Sequence, residues 1–393
     1  MKRKLLCTLL ILGLSGCTKP DSEDQNTDEL QLSPVSFKQL PGWENDQQLE
    51  AYMALLKSCE KTSQKHSGAE QLQNSIQALR QLCQKLTKAD TPAPSSEQAA
   101  RAFFEQEFQP YLMRTQQGAK AQLTGYYEAS LRGSYTKSAV YSVPIRKRPA
   151  DLVLVDLGQF REQLKGQRIA GRVTQGKLQP YEDRQKIEQQ INASEVLLWV
   201  DSAIDKFFLQ IQGSGLVALD SGELVRIGYD GHNGHLYSAI GKTLIERGEI
   251  TKEAMSMQAI RQWLKQHPAK ANELMNTNRS YIFFRKLNSE GPIGAEGVSL
   301  SPGRSLAIDP RYSAYGLPIY IDAEHPLSSA QAKQRLQKLT IAQDTGGAIK
   351  GPLRGDFFWG HGEAAAEAAG KMNSSATMYL LLPKGSLAPN SRP

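Results

Sequence analysis

From Gln122 onward the chain is a succession of short runs rich in β-branched and aromatic residues: QLTGYYEA, AVYSVPI, LVLVDL, EVLLWVD, FFLQIQ, LVRIGY, SYIFFRK, LPIYID and MYLLLP. The runs are separated by stretches with Gly, Pro, Asp and Asn, the punctuation of strands. Many short strands bury their apolar faces only in a barrel or a sandwich, so a mainly β fold is expected. Helical spacing interrupts the runs at YSAIGKTLIERG, KEAMSMQAIRQWLKQ and EAAAEAAGK, which predicts peripheral helices.

The N-terminal part has another texture. In MKRKLLCTLLILGLSGCTKP, Lys2, Arg3 and Lys4 precede an apolar run of about ten residues, the proportions of a secretory signal and too short to span a bilayer. The run closes on Leu14-Ser15-Gly16-Cys17, which resembles the bacterial lipobox; the alternative is an ordinary free cysteine in a signal sequence. The resemblance implies a signal peptide over 1–16 and lipidation of Cys17. A lipid would hold the protein on a membrane without spanning it. Thr18 rather than Asp after the cysteine resembles the pattern for sorting to the bacterial outer membrane, facing the periplasm.

Residues 17–40 are polar and acidic, almost free of large apolar side chains before Leu30, and read as a flexible tether. Removing residues 1–16 deletes three cations and takes the formal charge from +7 to 7 − 3 = +4. That mild basic bias suits an anionic polymer, but no clustered Lys/Arg stripe points to nucleic acid. The remaining length exceeds what one hydrophobic core usually spans, so two domains are expected.

Leu49, Tyr52, Met53 and Leu56 lead to Cys59 at helical spacing, and Leu72, Ile76, Leu79 and Leu86 surround Cys83 in the same way. Two antiparallel helices joined through TSQKHSGAE, in an exported chain, make a Cys59–Cys83 disulfide plausible; two buried free thiols are the alternative. Beyond the linker TPAPSS a third helix is expected to carry Phe103, Phe104 and Phe108.

Three stretches mix rings with hydroxyls and amides, as carbohydrate sites do. They are Thr124, Tyr126, Tyr127 and Glu128 in TGYYEA, Gln212 and Ser214 in the QGSG after FFLQI, and His232, Asn233 and His235 in GYDGHNGH. Core tyrosines with satisfied hydroxyls and ordinary glycine turns are the alternatives. The two histidines resemble half of a metal pair, but no HExxH and no Cys/His quartet follows, so neither metal nor cofactor is expected. The C-terminal DTGGAIKGPLRGDFFWG sets Asp344 and Asp356 twelve residues apart on a frame with five glycines. Such a frame permits close backbone approach to a ligand.

The ordered set TGYYEA, PYEDR, LLWVDSAIDKFFLQIQGSG, IGYDGHNGHLYSAIG, SYIFFRKL, PGRSLAIDP and AQDTGGAIKGPLRGDFFWGHG closely resembles the family of the membrane-bound lytic murein transglycosylase A, over about Leu123 to Pro383. The resemblance implies a double-psi β-barrel domain ending in a three-aspartate module, with an inserted second β-domain. The expected limits are 41–134 with 278–386 for the barrel and its N-terminal helices, and 135–277 for the insert. It also implies cleavage of the β-1,4 MurNAc–GlcNAc bond of peptidoglycan glycan strands without water, leaving 1,6-anhydro-MurNAc ends. By the match Asp356 is the catalytic acid/base, with Asp344 and Asp309 supporting it; Thr124, Tyr126, Tyr127, Gln212, Ser214 and Trp359 are expected to bind substrate. Ala129 stands where the family commonly has proline, a departure of little consequence at a strand edge.

One acid suffices for such a reaction. A hydrolase typically needs two carboxylates and a water. Here the sugar's own C6 hydroxyl attacks, and one carboxyl first gives its proton and then takes one back. It must start protonated near neutral pH, which burial beside Phe357, Phe358 and Trp359 is expected to supply, while Asp344 and Asp309 orient the loop or hydrogen-bond the Asp356 carboxyl. Two other readings remain: an aspartic-type hydrolase, which needs two DTG loops where this chain has one, and a non-catalytic lipoprotein that grips glycan.

Overall fold

The computed structural model describes residues 29–386 apart from 62–69, 89–91, 117, 119, 165–166 and 330–332. The expected signal peptide, Cys17 and the start of the tether lie outside the described residues. Among those described, no helix is long and apolar enough to cross a membrane.

The chain opens with β1 (Leu30–Pro34), α1 (Gln48–Cys59), α2 (Gln73–Leu86), α3 (Glu97–Glu107), β2 (Phe108–Thr115) and β3 (Ala121–Ser134). The middle holds β4 (Val143–Arg146), β5 (Val153–Asp156), β6 (Arg168–Thr174), β7 (Lys177–Pro180), α4 (Arg184–Gln189), β8 (Val196–Val200), α5 (Ala203–Gln212), β9 (Ser214–Leu219) and β10 (Leu224–His232). There follow α6 (Ile240–Glu246), α7 (Met257–Gln266), α8 (Pro268–Asn276) and β11 (Ile282–Lys286). The last segment is β12 (Ser305–Ile308), β13 (Pro318–Glu324), β14 (Arg335–Asp344), β15 (Arg354–His361), α9 (Glu363–Lys371) and β16 (Asn373–Pro383). The fold is thus mainly β with peripheral helices, as expected.

Two local expectations are corrected. Residues 30–40 are not tether: β1 pairs antiparallel with β2 and buries Leu30 and Leu32. FFLQIQ is not a strand but the body of α5, because Ser202 caps the helix by accepting from the Asp205 N–H and Gly213 ends it at φ 80°. Phe108 likewise begins β2 rather than closing α3. Cys59 and Cys83 are joined in a disulfide, although on α1 the buried face is Ala51, Tyr52 and Leu55 while Met53 turns to solvent.

The strands β16, β13, β14, β12, β15 and β3 neighbour one another in that order, and β3 pairs back onto β16, so six strands close a barrel. Most neighbours run antiparallel, but β12 with β14 and β15 with β3 run parallel. Leu306, Ile319, Ile321, Phe357 and Leu380 share one face of these strands and Leu339 and Ile341 lie on the other, and all belong to one buried core with residues from α1, α2 and α3. Each such side chain contributes about 1.5–3 kcal/mol on full burial. Arg304 of PGRSLAIDP is buried and joins Asp46 at 2.9 Å and Glu50 at 2.9 Å, tying the entry to α1 onto the barrel. Losing one partner of such a pair costs about 3–5 kcal/mol.

β3 belongs to two structures at once. Its first part, to Glu128, lies along β15, and from Ala129 it runs parallel to β9 in a second sheet with its own core of Tyr127, Leu131, Val217 and Phe284. The polar motifs of the middle region hold this second unit together. Arg184 of PYEDR donates to the carbonyls of Asn278 and Ser280, and Asn233 bridges Glu182, Arg279 and Tyr281.

Candidate active site

Strand register brings the acids together. Ala307 on β12 pairs with Asp344 of β14 on one side and with Asp356 of β15 on the other. The two aspartates therefore stand level and two strands apart, about 10 Å between backbones. Asp356 pairs with Thr124 of β3 and Phe358 with Tyr126, so period-two alternation sets Thr124, Tyr126, Asp356 and Phe358 on one face. Tyr126, Phe358, Leu300, Ala307 and Ile349 form the apolar floor, with the Tyr126 and Phe358 rings 5.1 Å apart.

Thr124 Oγ1 donates to Asp356 Oδ1 at 2.5 Å and accepts from Arg354 Nη2 at 2.8 Å. One carboxylate oxygen is thereby held, and Oδ2 has no protein partner among the described residues. Burial pushes Asp356 up to about 6, with the nearby Asp344 charge adding to the rise and Thr124 and Arg354 opposing it. Asp344 accepts from Ala295 N at 2.9 Å, Thr345 N at 2.9 Å and Tyr126 OH at 3.0 Å. Burial nevertheless pushes it up to about 6 against those three donors. Asp309 follows the end of β12 and accepts from Arg311 Nη2 at 2.6 Å and from Gly351 N at 2.8 Å. Gly351 sits at φ 106°, a turn closed to other residues without strain.

The expected site residues separate into two groups. Asp356, Asp344, Thr124 and Tyr126 are brought together; Asp309 anchors the glycine-rich loop behind them. Neither Asp344 nor Asp309 bonds the Asp356 carboxyl, whose partner is Thr124. Trp359 faces the other side of β15, its indole N–H directed at Met372 Sδ and its ring edge-on to Phe357 at 4.9 Å, so only Phe358 of the aromatic trio flanks Asp356. Tyr127 also alternates away, into the second core. Gln212 Oε1 accepts the Tyr127 N–H at 3.0 Å, and Ser214 lies buried at the start of β9. Arg354 escaped the sequence reading, although its place two residues before Asp356 on a strand marks it as a same-face neighbour. The Ala295 N–H is a backbone donor and left no signal. Among the described residues no group of His, Cys, Asp and Glu is arranged to hold a metal ion.

Residues 122–285 match the MltA specific insert domain and residues 304–382 match the 3D domain. The membrane-bound lytic murein transglycosylase from Agrobacterium tumefaciens superposes with a TM-score of 0.79 at 31% identity, covering 90% of this chain and 98% of that one. The chain belongs to the MltA family. The 3D domain of this family falls on β12 to β16, five of the six strands of the barrel, and the barrel is its double-psi fold; the insert match begins on β3 and ends on β11. Membrane-bound lytic murein transglycosylase A of Escherichia coli K12 is 32% identical over 265 residues, 66% of this chain and 65% of that protein. E. coli MltA has also been solved with bound chitohexaose, with a TM-score of 0.61 at 25% identity over 91% of this chain and 93% of that one.

Proposed function

We propose that the chain is a lytic transglycosylase that cleaves the β-1,4 MurNAc–GlcNAc bond of peptidoglycan without water and leaves 1,6-anhydro-MurNAc ends. The observation that carries the reading is Asp356, a buried carboxyl raised to about 6 with Oδ1 held by Thr124 and Oδ2 unengaged. The proton on Oδ2 passes to the glycosidic oxygen as the bond to the GlcNAc leaving group breaks. The carboxylate then takes the proton of the MurNAc C6 hydroxyl as that oxygen closes on C1. Carrying the nucleophile on the same ring avoids the entropy of positioning a water. Thr124, fixed by Arg354, aims the carboxyl, and Asp344 offers negative charge two strands away to an oxocarbenium-like transition state. The chitohexaose held by the E. coli relative supports a glycan in the equivalent groove. Cys17 is proposed to carry the lipid that keeps the enzyme on the outer membrane facing the periplasm.

Digestion of sacculi in ¹⁸O water tests the chemistry. The expected products are anhydro-muropeptides, one water lighter than hydrolytic fragments and free of label. Labelled reducing-end MurNAc as the primary product overturns the transglycosylase reading, and glycan binding with no soluble product leaves only a binding protein.

A further inference from the structure

Behind Asp344 lies a buried polar cluster that the acid/base chemistry does not use. Ser58, near the end of α1, donates to Glu296 Oε2 at 2.7 Å and accepts from Gln343 Nε2 at 2.9 Å. Gln343 also donates to the Ala54 carbonyl at 2.8 Å and accepts from Ser305 Oγ at 2.6 Å. Ser58, Gln343 and Ser305 are fully buried and Glu296 nearly so. Glu296 belongs to the same tight loop as Ala295, the donor to Asp344. Its own N–H donates to the Gln343 carbonyl at 3.1 Å, and a Cβ on Gly294 would fall 2.4 Å from that carbonyl oxygen, so the loop lies flat on the end of β14. The second carboxyl oxygen, Oε1, is buried without a partner. Around it are Ser58 of α1, Leu79 of α2 and Gly316 of the turn before β13; Tyr315 of that turn feels the charge of Glu296, as it does those of Asp344 on β14 and Arg168 on β6. The Lys57 ammonium is drawn off to Ser301 Oγ at 2.9 Å, so among the described residues no cation is bonded to the carboxyl.

We infer that Glu296 is a positioning residue for Asp344 that works only as the neutral acid: uncharged, it lets its loop seat the Ala295 N–H on Asp344, and charged, it unseats that loop. Burial holds the proton on Glu296 up to about 8, with the Ser58 hydrogen bond opposing the rise. An uncompensated anion at this place has no donor for Oε1 and no counter-ion, and is relieved by moving the loop outward toward water.

The inference rests on the proposed transglycosylase activity, and rates of fragment release by the full mature chain test it separately. In the unmodified enzyme the rate falls about tenfold per pH unit once Asp356 ionises above about 6. It steepens to about a hundredfold per unit above about 8, where Glu296 ionises as well. Glu296→Gln, a fixed neutral isostere, retains the first break and loses the second. Ser58→Ala, which removes the bond that lowers Glu296, moves the second break to higher pH. A carbon-13 carboxyl titration of Glu296 checks the break independently of turnover. An unaltered second break in Glu296→Gln, or a Glu296 carboxyl that titrates in the usual range, overturns the inference. Absence of any anhydro product from the unmodified enzyme instead overturns the activity on which it rests.

Discussion

Asp344 and Asp356 flank Ala307 across two strands and are pushed by burial up to about 6, whereas Asp309, two residues beyond Ala307, is held below the usual carboxylate range. Burial alone would raise Asp309 as well. Arg311 and the Gly351 and Arg311 N–H groups outweigh it. Among the described residues Asp356 has one direct side-chain donor, and Asp344 has three neutral donors and no cation on it. Three aspartates of one signature therefore do two kinds of work, and what distinguishes them is whether a guanidinium sits directly on the carboxylate. Arg354 stops one hydroxyl short of Asp356, with Thr124 between them. Burial outweighs both the Thr124 bond and the Arg354 charge, and that keeps the acid protonatable.

The largest effect comes from breaking the acid itself. Asp356→Asn keeps the shape and loses the proton, so turnover of glycan strands falls by ~10²–10⁴-fold or more with binding retained. The same variant should be more stable near neutral pH. A carboxyl whose folded pKa is raised from 3.8 to about 6 contributes most below 3.8 and loses that contribution as pH rises through about 6, which amounts to up to about 3 kcal/mol. Thermal unfolding at neutral pH and at pH 3 reads the gain and its disappearance; an equal change at both pH values contradicts the assignment. Asp344→Asn removes the charge that helps raise Asp356, so the alkaline fall in rate moves to lower pH, and loss of alignment costs on the order of 10–100-fold near neutrality. Thr124→Val acts in the opposite sense: the bond that lowers Asp356 is gone, the alkaline fall moves to higher pH, and the rate drops only about fivefold. Shifts of the two profiles in the same direction would sink this account of the pair.

The strands were legible because their punctuation is local: Gly, Pro, Asp and Asn separate the runs, and alternation in RGDFFWG already sets Phe358 with Asp356 and turns Phe357 and Trp359 away. Period-two counting would have removed Tyr127 and Trp359 from the face that carries Asp356 before any coordinates. FFLQIQ misled because a short apolar run has no period of its own; the Ser202-x-x-Asp205 cap and Gly213 were the deciding marks. Barrel closure, and the passage of β3 from one sheet to the other, depend on pairings far apart in the chain and leave no local trace. The role proposed for Asp356 came from family resemblance, since residue types alone cannot tell it from Asp309.

The smallest effect sharpens the comparison most. Asp309→Asn should leave the pH profile of turnover unchanged, because Asp309 bonds Arg311 and Gly351 and makes no contact with either of the other acids. Its cost is structural. A carboxylate with a depressed folded pKa stabilises the fold above the usual carboxylate range and loses that contribution as pH falls through its folded value. Arg311 is half exposed, so solvent screens the pair and the contribution is about 1 kcal/mol. Unfolding followed from neutral pH into acid should show the unmodified protein losing that increment only in strong acid, with Asp309→Asn lacking it throughout. A displaced alkaline limb in the activity of Asp309→Asn would mean that the third aspartate is electrostatically coupled to Asp356, and the division of labour between the acids would have to be redrawn.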